Sequence, residues 1–167
     1  MKGLMYLLIG VGLIACQENV AVSEFTGNET TYNLQSASQY SVSGIITFKE
    51  RKDGKTTAVV DLKGTDGDQK FPVHLHLGNL SNPAADIAVL LSPVTTATGK
   101  SETLVKELTN ETSVTYQQLL DLEACIKIHL GESGPDRDII LAAGNIGKSS
   151  KTETTNGRIG IAVCKSE

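Results

Sequence analysis

The chain of 167 residues holds three histidines, and their placement is its most chemically specific feature. Two lie in Phe71-Pro72-Val73-His74-Leu75-His76-Leu77-Gly78, which alternates apolar and polar residues with period two. Such a stretch predicts a strand whose Val73, Leu75 and Leu77 face a core, with His74 and His76 side by side on the other face. Two imidazoles one strand pitch apart can chelate a single transition metal, and imidazole suits copper and zinc. The third, His129, ends a second alternating run, Cys125-Ile126-Lys127-Ile128-His129, with Ile126 and Ile128 on its inward face. All three are therefore expected on strands, turned away from the core. Solvated polar positions on half-buried strands are the alternative, and the histidines alone leave both readings open.

The elements that must position these rings are short strands. Aromatic residues make up 4% of the chain and Trp is absent, while Thr, Ser, Gly, Val and Ile are frequent, which favours strands and turns over a helical bundle. Strands are expected over 31–37, 41–49 (Val42, Ile46 and Phe48 inward) and 56–63 (Ala58, Val60 and Leu62 inward). Asp53-Gly54 supplies the positive φ of a tight hairpin between the last two. After the His74 strand come a loop around Asn82-Pro83, a short strand over 87–91 and a poorly alternating one over 101–108. Thr115 and Gln118 have capping-box spacing, which predicts a helical turn over 116–122. Residues 131–157 read as a long irregular region around an apolar piece, 139–143, and residues 158–164 as the last strand, with Ile159, Ile161 and Val163 inward. The pattern predicts an all-β fold: a Greek-key β-sandwich or flattened barrel of about eight strands.

The amino terminus reads as an address. Lys2 is followed by an apolar run, Leu4 to Ile14, too short to remain as a membrane span. It ends in Leu13-Ile14-Ala15-Cys16, which resembles the lipobox of bacterial lipoprotein signals; the alternative is an ordinary secretory signal with an incidental cysteine. The resemblance implies a signal peptide over 1–15, acylation of Cys16, and export to the cell envelope with a lipid anchor in a bacterial membrane, the outer one being expected. Residues 16–29 would be a tether and 30–167 the folded domain. In an exported chain Cys125 and Cys164 are expected to pair as a disulfide. If the His129 strand and the final strand lie antiparallel with those cysteines opposed, His129 faces Gly160. Two cysteines buried as small apolar groups are the alternative.

Four segments resemble copper–zinc superoxide dismutases and their degenerate relatives. Ser41-Val42-Ser43-Gly44-Ile45-Ile46-Thr47-Phe48 is similar to that family's second strand, Phe71–Gly78 to its His-x-His copper strand, Ile126–His129 to the strand ending in another copper ligand, and Gly157-Arg158-Ile159-Gly160-Ile161-Ala162 to its closing strand. They fall in the family's order over residues 31–164. The same segments, with Asn156-Gly157-Arg158-Ile159, also resemble chordin-type (CHRD) domains. The dismutase resemblance implies an eight-stranded Greek-key barrel with His74, His76 and His129 as ligands of a single copper. A fourth histidine is absent, so the bridging imidazolate and the zinc site of that family are not expected.

Asp136 and Asp138 are candidates to orient a ligand imidazole from behind. Lys127 and Arg137 could supply positive potential for a small anion such as superoxide; where the dismutase family has a catalytic arginine this chain has Glu153 and Thr154, for which Arg137 or Arg158 could substitute, and no catalytic residue is assigned. The net charge of −4 and the lack of a Lys/Arg cluster argue against a nucleic-acid partner. A phosphate-binding glycine loop, a Cys-x-x-Cys pair and a nucleophile elbow are all missing from the sequence. The expected function is that of a membrane-anchored, superoxide-dismutase-like copper lipoprotein, with a non-catalytic copper binder or a metal-free CHRD-type sandwich as alternatives.

Overall fold

Every alternating stretch that falls within the described residues becomes a strand. The computed structural model describes residues 22–82 and 86–152. The strands are β1 (Phe25–Ser36), β2 (Ser43–Arg51), β3 (Thr56–Lys63), β4 (Lys70–Leu77), β5 (Ile87–Thr95), β6 (Lys100–Val105), β7 (Glu123–His129) and β8 (Ile140–Gly147). Two helical turns, α1 (Tyr116–Leu120) and α2 (Pro135–Asp138), and a 3-10 helix (Lys148–Thr152) join them. Among the described residues no helix is long and apolar enough to cross a membrane.

The strands close into one antiparallel barrel in the order β1-β2-β3-β6-β5-β4-β7-β8. Strands β4, β5 and β6 neighbour one another, while β3 lies beside β6 and β7 beside β4, so the β3–β4 and β6–β7 connections make Greek-key crossings. The expected all-β, eight-stranded architecture is the one observed. Its interior is filled by the residues the alternation assigns to it: Ile46, Phe48, Val60, Val73, Ile126 and Ile128 are each at most 1% exposed. Each such side chain contributes roughly 1.5–3 kcal/mol relative to leaving it in water. Tyr32 of β1 packs its edge on Phe48, with ring centroids 6.1 Å apart.

Local signals also hold. Thr115 caps α1, its side chain accepting from Gln118 N while the Gln118 side chain accepts from Thr115 N at 2.9 Å. Gly54 has φ +79° in the β2–β3 turn, where its amide donates to Arg51 O.

Three expectations need correction. First, β1 begins at Phe25, inside the expected tether; Thr26 and Asn28 are held there by the Glu50 carboxylate of β2, around a bulge that Gly27 (φ +98°) permits. Second, the strand that closes this barrel is β8, from the region read as irregular. Seven of its eight residues are buried, so it presents no wet face and no alternation to read. Third, β7 pairs with β4 on one edge and with β8 on the other. His129 faces Ile140 rather than Gly160, and Cys125 lies between His76 and Asn145. Residues 158–164, with Cys164, Arg158 and the resemblance they carry, lie outside the described residues, as do Cys16 and the leader.

Closure between β1 and β8 rests on two register pairs, Gln35 with Ala143 and Ser36 with Ala142, and on a close approach at Gly144. A β-carbon at residue 144 would sit 2.1 Å from Asn33 O and 3.2 Å from Leu34 Cδ2. Backbone cannot yield as a flexible side chain does, so Gly144→Ala should cost at least about 2 kcal/mol. A urea titration would show this as a lowered midpoint at unchanged slope.

Candidate metal centre

The core pairing of β4 and β7 sets the position of the rings. Val73 faces Ile128 and Leu75 faces Ile126, all fully buried inside the barrel. The alternate residues, His74 opposite Lys127 and His76 opposite Cys125, must then share the outer wall. His129 has the same outward parity as Lys127, one pair further along, so it stands diagonal to His74. Two register irregularities refine this arrangement: one in the β4–β5 ladder between Leu75 and His76, the other in the β7–β8 ladder between Ile128 and His129. Bulges re-aim the side chains beside them, and nothing in the sequence announces either.

The result is convergence. Ring centroids lie 4.7 Å apart for His74 and His129, 5.8 Å for His74 and His76, and 6.2 Å for His76 and His129. One nitrogen from each ring lies within 4.8 Å of the others. Two nitrogens bound to one ion at about 2 Å can be at most about 4 Å apart, so the rings would draw in by less than an ångström. Small side-chain rotations supply that.

Loops roof the outer wall here. Leu80, Cys125, Ile140 and Ala143 form a second buried apolar cluster outside the barrel. The loop after β4 is tied down by Gly78 N donating to Glu123 O (2.7 Å) and Leu80 N donating to the Asn145 side-chain oxygen (2.9 Å). His76 and His129 are thus 3% and 1% exposed, while His74 keeps a partly exposed edge. Sequence alternation correctly turns the rings outward; their burial comes from covering loops that alternation does not describe.

His129 Nδ1 lies 2.6 Å from Arg137 O. A carbonyl can only accept, so Nδ1 carries the hydrogen and Nε2 holds the lone pair. That Nε2 is buried with no hydrogen-bond partner. An unsatisfied buried acceptor costs about 1–3 kcal/mol, a cost that a metal ligand recovers on binding. The group that orients His129 is therefore a backbone carbonyl of α2. Asp136 serves the turn, its carbonyl accepting from Gly131 N at 3.2 Å. The Asp138 charge favours protonation of His129.

Electrostatics keep the rings in their ligating form. Burial pushes the His74 imidazole down to about 4, and the neighbouring His129, His76 and Arg137 add to the shift. His129 is also lowered, chiefly by burial and further by Lys127 and Arg137, against the opposing Arg137 carbonyl. Arg137 is exposed and its charge reaches both rings. Lys127, expected to help attract an anion, is 0% exposed and out of reach of any solute. Among the described residues, His74, His76 and His129 form a group able to hold a metal ion.

A histidine with a depressed folded-state pKa binds fewer protons folded than unfolded. Its contribution to stability is then full above about pH 6.5 and is lost as pH falls toward about 4. The metal-free protein should show its urea midpoint falling through that window, and His74→Gln should flatten part of the fall.

Comparison with family models, with curated proteins and with solved structures finds no match.

Proposed function

We propose that this protein is an exported, lipid-anchored barrel of the superoxide-dismutase-like kind that holds a single copper ion through His74, His76 and His129 and acts on superoxide. The observation that carries the reading is His129 Nε2, a buried lone pair with no hydrogen-bond partner, set among two further imidazoles within 4.8 Å. Three neutral nitrogens suit both oxidation states of copper, and the chain has no fourth histidine to bridge to a second ion. Zinc accepts the same ligands, so the choice of copper rests on the resemblance of the His-x-His and His129 strands.

The chain's own residues have distinct parts in this reading. Val73 and Leu75 anchor the strand that presents His74 and His76. The Arg137 carbonyl fixes the His129 tautomer, while its exposed guanidinium gives the approach past His74 a positive potential in a chain of net charge −4. Loops around Leu80 and α2 keep water from the buried rings. Copper held there would supply one-electron redox chemistry at an open coordination position. A second reading, copper binding without turnover, is favoured by the burial of Lys127, which leaves Arg137 to attract the anion.

Purified mature protein should take up one equivalent of copper and give a nitrogen-rich Cu(II) paramagnetic resonance signal. His129→Ala should weaken binding by more than the roughly 10–100-fold that outer-shell changes cost. Superoxide consumption by the loaded protein decides between catalyst and binder; failure of wild type to bind copper would leave a metal-free CHRD-type sandwich. Cys16→Ser should abolish acyl labelling and release the protein from membranes.

A further inference from the structure

The two sides of the roof over the triad are fastened very differently. Residues 130–139 join β7 to β8 and bring α2 against His129. Residues 132–137 are all exposed, and α2 contributes no buried side chain. The backbone bonds of this strap are internal: Gly131 N donates to Asp136 O at 3.2 Å, Arg137 N to Gly134 O at 3.1 Å and Ile139 N to Asp136 O at 3.3 Å. Among the described residues, the hydrogen bond that ties residues 131–138 to the barrel wall runs from His129 Nδ1 to Arg137 O, at 2.6 Å. A segment with few buried contacts and self-contained hydrogen bonds lies at the low end of local stability. The loop after β4 is a fixed wall by comparison, with Leu80 1% exposed and its amide held by the Asn145 side chain.

We propose that this strap is a latch on the bound ion, joined to it through the His129 ring: strap closure slows release of the ion, and an ion on Nε2 holds the strap shut. This rests on the triad holding a metal, as proposed above. The two ring nitrogens transmit the effect. A carbonyl on Nδ1–H makes Nε2 a better ligand, and electron density drawn from Nε2 makes Nδ1–H a stronger donor. With the strap away, His129 loses the contact that fixes its tautomer and its orientation. Coupling of this kind is reciprocal, so the factor by which closure tightens binding equals the factor by which binding favours closure. Two glycines let the strap sit so close. A β-carbon at residue 131 would lie 2.8 Å from Asp136 Cβ, nearer than two such carbons pack, and Gly134 has φ +63° at the turn into α2. Asp136 belongs to a short exposed turn, so a side chain at residue 131 would displace the strap rather than the barrel.

The test uses the full mature chain with Cu(II) alone and, as a redox-silent arm, Zn(II) alone. Loading should slow amide hydrogen exchange at Gly131, Arg137 and Ile139 by about tenfold, the lower end of what an outer-shell partner contributes to metal affinity, while the Leu80 amide changes little. Gly131→Ala should raise the dissociation rate of the ion by a similar factor, leave its association rate nearly unchanged, and remove the loading-dependent protection. A strap that merely supports the fold would change exchange equally in the loaded and empty protein. Gly134→Ala strains the turn without meeting another atom within 4 Å; it should act in the same direction and serves if Gly131→Ala does not fold. Equal strap exchange with and without the ion, or a wild-type dissociation rate in a folded glycine variant, overturns the latch and leaves the metal site standing. Failure of wild type to bind either ion overturns both.

Discussion

The constraint on which the rest depends is the contact of Val73 and Leu75 with Ile128 and Ile126 across β4 and β7. Four fully buried apolar side chains fix the register of this pair, and the two-residue period of a strand does the rest. A slip by one residue would send His74, His76 and His129 into the core and the aliphatic residues out. Hydrophobic burial is thus what aims the imidazoles, although none of the residues that supply it would touch a metal.

That aim alone would leave three solvated histidines. Their chemistry comes from the roof over the outer wall. Leu80 and the loop behind it, held by Asn145 and Glu123, shut His76 away from water, while α2 offers Arg137 O to His129 Nδ1. Each of these contacts costs the protein something in isolation, since buried imidazoles lose hydration and His129 Nε2 is left without a hydrogen bond. Lowered proton affinity is the consequence, and it keeps nitrogen lone pairs open at neutral pH. An ion that accepts nitrogen ligands recovers this cost.

Where the sequence could be read, it was because a local rule and the global fold agreed. Strand β3 occupies the residues its alternation assigns to it; α1 follows its capping box; the β2–β3 turn uses Gly54. The histidine strands were legible for the same reason. Strand β8 was not, because a strand buried on both faces has no polar phase, and Ile140–Ala143 looks the same as any short apolar run. Both edges of β7 are taken, one by β4 and one by β8, which alternation along the chain does not reveal. The bulges at His76 and His129, and the burial of Lys127 in a strand expected to be wet on that face, also left no trace in residue order.

What the sequence by itself determined is the all-β class, the identity of most strands, and which face of β4 and β7 each histidine takes, because side-chain alternation is a property of neighbours along the chain. The tertiary structure alone decided that the three rings meet, that a carbonyl rather than a carboxylate orients His129, and that a lysine is sealed beside them. Those outcomes depend on register between strands distant in sequence and on which loop comes to rest over which face, and such packing is settled by the whole barrel at once.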